Sequence, residues 1–511
     1  MPVLKIDTIN QAIVQAEYAV RGELAIKAES LREELAKDPK AKERLGFDQV
    51  ISANIGNPQQ LGQKGLTYLR QVSAVSLSLC ARADGQEQVI ALAEYPDLLE
   101  NENTSKIFPE DAIKRAKDIL GEIGSTGAYS HSKGIPSIRQ HVAEFIEGSS
   151  TLHCSVVRAD YRGTARDGYP ADPERIYLTA GASAGVSNIM NVIVSSPQTG
   201  VLIPIPQYPL YTATLALLSA QACPYYLKEK EGWASSISDV KRALEKARSE
   251  GTDVRAIVVI NPGNPTGACL DVEHMKEIIK LAKEESLVLL ADEVYQTNIF
   301  LPERPFISFR KVLYDMGKPY ADSVELVSFH STSKGQIGEC GRRGGYFEMI
   351  NINEQVEDQI YKLASAQLCA PVSGQIGLDI MVKPPADGEP SKELYFKEIK
   401  GTHDELHRRS GILLDAFQKL EGVECTDAQV SPQFAFSSAQ LIDRVGRDVP
   451  LPYDQTTRES RQSSKRPRQS SRRFLLPRAA KEDWYLRRPR IRFRPTRRNA
   501  SLSHYFFGPS D

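Results

Sequence analysis

The stretch Ala256-Ile-Val-Val-Ile-Asn-Pro-Gly-Asn-Pro-Thr-Gly267 is a β-branched apolar run that stops at a Pro/Gly turn. It lies between two segments whose apolar residues recur at helical spacing, 235–249 and 272–285. A short buried strand between two helices is the repeating unit of an α/β fold. The same layout returns with strands at 201–205, 287–291 and 324–329 and helices at 135–147 and 353–367. A helical arm is expected over 9–38, where Ile13, Ala16, Val20 and Leu24 are spaced along a charged segment. The alternation predicts an α/β fold with a mostly parallel sheet covered on both faces.

In such sheets ligands bind beyond the carboxyl ends of the strands. Each strand here runs into polar residues: Pro206-Gln-Tyr-Pro209, Asn261-Pro-Gly-Asn-Pro-Thr-Gly267, Asp292-Glu-Val-Tyr295 and His330-Ser-Thr-Ser-Lys334. Four polar strand ends are therefore expected to converge on one site.

Each has a chemical reading and a plainer one. Lys334 sits in Ser331-Thr-Ser-Lys-Gly335, followed by Glu339-Cys-Gly-Arg-Arg-Gly-Gly-Tyr346. A lysine after a strand is ordinarily a solvated surface group. Small neighbours instead let a backbone approach a bulky ligand, and a desolvated lysine loses its proton readily enough to act as nucleophile and base. Asp292 ends the apolar run Leu287-Val-Leu-Leu-Ala, where a carboxylate needs a partner or serves as a helix cap. Tyr208 can stack on a ring or simply pack. The 178–185 stretch, Leu-Thr-Ala-Gly-Ala-Ser-Ala-Gly, reads as a small-residue loop before a helix; its N–H groups can cradle phosphate, or the loop can merely pack tightly.

Length and charge bound the class. At 511 residues the chain exceeds one simple core, and two packed regions plus extensions are expected. No apolar run of about 18 residues occurs, so no membrane span is expected. The seven cysteines are dispersed without a CxxC pair, which fits reduced thiols and no metal site. The N-terminal stretch lacks the layout of a signal or transit peptide, making the cytoplasm the default location. The net charge of -1 hides an asymmetry: residues 430–511 carry 18 Lys/Arg against 7 Asp/Glu, and the remainder 46 against 58.

Taken in order, AGASAG, IPQYPLY, NPGNPTG, LADEVYQ, SFHSTSKG and ECGxRGGY resemble the fold-type-I pyridoxal-phosphate-dependent aminotransferases, the last three being particularly similar to the alanine aminotransferase type. The resemblance spans about residues 10 to 429. It implies a three-layer large domain with a mostly parallel central sheet plus a smaller α/β domain. The implied organisation is an arm and part of the small domain over 1–115, the cofactor-binding domain over 116–380 and the start of the C-terminal small domain over 381–429.

The resemblance also implies roles. Lys334 would be the Schiff-base lysine for pyridoxal 5'-phosphate, Asp292 the partner of the pyridine nitrogen, and Tyr295 with Asn264 the contacts of the ring hydroxyl. Tyr208 would lie on the ring face. Gly181, Ala182, Ser183, Ser331 and Arg343 match phosphate-binding positions. Gly56 and Asn57, with Asn264, would face the substrate. In a homodimer, Tyr129 would reach the neighbouring subunit's phosphate. The implied reaction is ping-pong transamination, L-alanine and 2-oxoglutarate giving pyruvate and L-glutamate, with another amino donor as the alternative. The partners expected are small amino and 2-oxo acids, without nucleic acid or membrane.

After Cys425-Thr-Asp-Ala-Gln429 the family's pattern is lost, including the arginine that clamps the substrate carboxylate. The arginine-rich residues beyond that point, with Arg487-Arg-Pro-Arg-Ile-Arg-Phe-Arg494, read as a basic nucleic-acid tail, as a disordered tail, or as a shifted frame. The third reading rests on codons. One base forward, Trp484–Arg494 can encode GICVVPGSGFG, Gly446–Tyr453 GAMYLFP, and Ser501–Tyr505 with the preceding codon LHYRT. These are the three missing motifs, in order and in one frame. Codons for Val430-Ser431 and Val445 admit splice signals, so residues 430–511 are expected to be a retained-intron and frameshifted tail, the intron being the stretch from Val430 to Val445. Such a chain, made as written, would be impaired in turnover.

Overall fold

The structure is a computed structural model, and it describes residues 23–38, 40–50, 92–93, 96–148, 166–228, 232–300, 305–335, 337–419, 424–425 and 436–437. Its centre is a seven-stranded sheet: β1 Ile176–Ala180, β2 Thr199–Ile205, β3 Gln221–Tyr226, β4 Asp253–Ile260, β5 Val288–Asp292, β6 Leu326–Ser331 and β7 Gly344–Ile350. The strand order is β1-β7-β6-β5-β4-β2-β3. From β3 to β6 the pairs are parallel, with Ile260 beside Asp292 in the register, while β7 runs antiparallel to both β6 and β1. The expected α/β fold with its mostly parallel sheet is thus observed. Antiparallel β7 follows β6 through residues 332–343, whose described part holds a 3-10 turn at Cys340–Arg342 and no α-helix that would carry the chain across for a parallel return.

Alternation along each strand splits the core in two. Ile257, Val259, Leu289 and Ala291 pack with helices Ile237–Ser249, Val272–Glu284 and Phe309–Asp315. Ala256, Val258, Leu290, Val327 and Phe329 face the other way, against helices Ala182–Ile193, Leu210–Leu217 and Glu354–Ala366. Each fully buried Leu or Ile contributes about 1.5–3 kcal/mol relative to exposure. A third cluster joins β1 to helices Pro136–Glu147 and Val372–Val382.

The four expected strands and the helices expected at 135–147, 235–249, 272–285 and 353–367 are all present within a few residues. Their starts are set by side chains that accept first-turn N–H groups: Ser236 from Asp239, Asp271 from His274, and Asn353 from Gln355. Within the expected arm, helix Glu23–Lys37 is described; Ile13, Ala16 and Val20 lie outside the described residues. The reading of 178–185 as a loop is corrected. Leu178–Ala180 complete β1, and a helix begins at Ala182, leaving Gly181 as the turn.

Edge strand β3 tolerates Pro224, which cannot donate to a ladder bond. Of residues 430–511 only Phe436–Ser437 are described, paired antiparallel with Glu424–Cys425. Among the described residues no helix is long and apolar enough to cross a membrane.

Candidate active site

Because β1, β2, β4, β5 and β6 run in one direction, their carboxyl ends share one edge of the sheet. Antiparallel β7 begins at that same edge, which brings Arg343 beside Gly181 although 162 residues separate them in the chain.

The contact between them is tight. Arg343 is in the left-handed region at φ 60°, and its Nη2 donates to Ala180 O at 2.8 Å and to Ser183 Oγ at 3.4 Å. Nη1 donates to Cys340 O at 2.9 Å. Gly181 has φ 77° and ψ 166°, and a Cβ there would lie 2.3 Å from Arg343 Nη2. Only glycine fits, on grounds of backbone and of space. Gly345 presses on the same turn, since its Cβ would fall 2.7 Å from Gly181 C. The helix that starts at Ala182 has no side-chain cap, so its first N–H groups, the Ser183 hydroxyl and the Arg343 fork form one cluster of donors. A helix N-terminus with a guanidinium is suited to a phosphate dianion. Ser331 is buried at the end of β6, where its Oγ accepts Ser333 N–H at 3.3 Å.

On the neighbouring strand β5, Asp292 is buried, with Tyr211 Oη donating to Oδ2 at 2.8 Å and Val294 N–H to Oδ1 at 3.4 Å. Burial raises the pKa of this carboxyl, while the phenol and the N–H pull it down. The helix-cap reading is set aside, because turn residues, not a helix, follow Asp292. Asn264 and Tyr295, 31 residues apart, meet: Asn264 Nδ2 donates to Tyr295 Oη at 3.3 Å. Tyr208 is half-buried in the turn after β2. Lys334 is half-buried in the turn after β6, and burial lowers its pKa, with Cys340 working the other way. That turn is pinned by Gly335 at φ 72°, where a Cβ would sit 2.5 Å from Thr297 Oγ1.

Donors for a phosphate, a buried carboxylate, a paired amide and phenol and a softened lysine thus occupy one sheet edge. This set of donors and acceptors fits pyridoxal phosphate. Tyr129 is 77 % exposed. Gly56 and Asn57 lie outside the described residues.

Two features escaped the sequence reading. Tyr211 was legible in principle, since it follows Tyr208 by three residues in Tyr-Pro-Leu-Tyr, at the start of the helix Leu210–Leu217. The other is a buried charged layer on the opposite face of β5 and β6, composed of Arg166, Asp167, Glu293, Arg310 and Glu348, with neutral His330. Burial pushes Glu293 up to about 8 and His330 down to about 3.

Residues 93–440 match the family described as Aminotransferase class I and II. Among curated proteins, a probable mitochondrial alanine aminotransferase of Dictyostelium discoideum is 46% identical over 441 residues, covering 86% of this chain and 76% of that protein. Glutamate–glyoxylate aminotransferase 1 of Arabidopsis thaliana is 44% identical over 426 residues, covering 83% and 79%. Among solved structures, an Escherichia coli aminotransferase superposes with a TM-score of 0.57 at 21% identity, covering 84% of this chain and 82% of that one. An alanine aminotransferase from Pyrococcus furiosus gives 0.57 at 20%, covering 83% and 82%. At that identity these structures speak to the fold.

Proposed function

We propose, on the premise that this chain belongs to the class I and II aminotransferases, that it transfers the amino group of L-alanine to 2-oxoglutarate, giving pyruvate and L-glutamate. The observation that carries the donor assignment is the 44–46% identity to proteins named alanine aminotransferases over more than four fifths of the chain. Its cofactor is pyridoxal 5'-phosphate. When bound, that group supplies an aldehyde for covalent capture of the substrate amine and a ring that withdraws electrons from the substrate α-carbon.

In our reading Lys334 Nζ holds the aldehyde at rest. Its amine would also serve as the base that takes the proton off the substrate α-carbon, a task favoured by the burial that lowers its pKa. Asp292 would keep the ring nitrogen protonated, Asn264 with Tyr295 would hold the ring hydroxyl, and Tyr208 would lie beside the ring. Arg343, Ser331, Ser183 and the N–H groups at Gly181 and Ala182 anchor the phosphate. Gly56, Asn57 and Asn264 border the substrate.

The similarity to glutamate–glyoxylate aminotransferases favours a second reading in which glyoxylate is the acceptor. A panel of donors and acceptors separates the two. We expect kcat/KM for alanine with 2-oxoglutarate to exceed that for glutamate with glyoxylate by at least about tenfold, a 1.4 kcal/mol difference in transition-state binding; the reverse order overturns the leading reading.

We further propose that the domains are divided near 115 and 380, that the enzyme is a cytoplasmic homodimer, supported by the exposed Tyr129, and that residues 430–511 belong to a retained-intron frame. The family match ends at 440, ahead of the arginine-rich stretch. Spliced message is expected to lack the intron and encode the carboxylate-clamping arginine in the shifted frame. Message that mostly retains the intron contradicts this.

A further inference from the structure

Asp292 is held in an unusual way for a buried carboxylate. Among the described residues no Lys, Arg or His pairs with it, and its shortest contact is the Tyr211 hydroxyl at 2.8 Å. The other donor, Val294 N–H, is long at 3.4 Å. Tyr211 is fully buried among Val201, Leu290 and Val258, so its hydroxyl reaches β5 from the helix after β2, across β4. Burial and the adjacent carboxylate both raise the phenol's pKa, so it keeps its proton and donates.

A cation beside Asp292 would cancel its charge. A phenol stabilises the carboxylate without neutralising it, and leaves the full negative charge for a positive partner. We propose that Tyr211 is a positioning residue for the cofactor: its hydroxyl holds Asp292 ionised and in one orientation, so that the carboxylate keeps the ring nitrogen protonated. The proposal rests on the reading of Asp292 given above.

Tyr211→Phe removes the donor and keeps the ring, so the core packing is retained. In the full chain we expect the dissociation constant for pyridoxal phosphate to rise about tenfold or more, the scale of a hydrogen bond to a charged group. The pH midpoint of the bound cofactor's visible absorbance should also move. In an Asp292→Ala background the same substitution should change the dissociation constant by no more than about twofold, because Tyr211 acts through Asp292. Equal losses in both backgrounds would mean packing alone, and wild-type affinity with an unmoved midpoint would mean no role; either overturns the proposal. If Asp292→Ala alone leaves affinity and absorbance unchanged, the reading of Asp292 falls, and the proposal with it.

Discussion

Replacing Lys334 with alanine is expected to lower kcat on the order of 10⁴-fold, the upper end of what a positioned acid–base group supplies. The upper end is appropriate because, in the role proposed for it, one amine has two tasks, holding the cofactor and moving the α-proton. Its surroundings suit both. The turn that carries Lys334 is fixed at one side by Gly335, packed on Thr297, and at the other by Glu339 N–H donating to Thr332 O at 2.9 Å. Burial lowers the amine's pKa, which raises the neutral fraction near neutral pH. Borohydride gives a readout independent of turnover. In the parent chain it should fix the cofactor covalently to the peptide containing Lys334, and in Lys334→Ala no peptide should be labelled. Labelling of a different lysine in the parent chain, or a kcat within about tenfold of the parent in the variant, would contradict the assignment.

The largest expected loss of stability lies behind the site. Arg310 is 1% exposed; its Nε donates to Glu348 Oε1 at 3.0 Å, and Nη1 lies 3.6 Å from Asp167 Oδ2. It also donates to the carbonyls of Tyr169 and Pro170, at 3.2 and 2.5 Å. Arg310→Met preserves much of the stem's volume and leaves two buried carboxylates and two carbonyls short of a partner. Breaking a buried pair from one side costs about 3–5 kcal/mol. Urea unfolding of the variant should show a deficit of that size, and a deficit below about 1 kcal/mol would show the layer to be self-sufficient.

The deficit has a pH sign. Burial already raises the Glu348 pKa, with Arg310 opposing it. Without Arg310 the folded-state pKa rises further above the unfolded one. The penalty is then fully felt above the folded pKa, shrinks as pH falls from there toward the ordinary carboxylate range, and is gone below that range.

The parts of this protein that were legible in one dimension are those with strong local signals. Strands β2, β4, β5 and β6 announce themselves by β-branched apolar runs ended by turns. The helices after β3 and β4 are announced by Ser236 and Asp271, whose side chains accept the first-turn N–H groups. β1 was hidden because Leu178-Thr-Ala-Gly-Ala-Ser-Ala-Gly185 holds parts of two elements in a stretch that, after Leu178, is all small or polar residues. β7 was hidden because it opens with two glycines and carries Glu348, a residue that belongs in a buried strand only when Arg310 is there to meet it.

The site divides in the same manner. Motif order and type singled out Lys334, Asp292, Asn264, Tyr295 and Arg343 as candidates, and the family resemblance supplied their proposed roles. Their mutual arrangement required the folded sheet. Antiparallel β7 brings Arg343 onto Gly181, and β2, two strands from β5, sends Tyr211 across to Asp292. These are contacts between residues distant in the chain, and the spacing of residues along a sequence holds no information on which strand lies next to which. Chemical identity is local and so could be read directly; the pairing of charges and donors depends on strand order and register, which are set by burying both faces of the sheet at once.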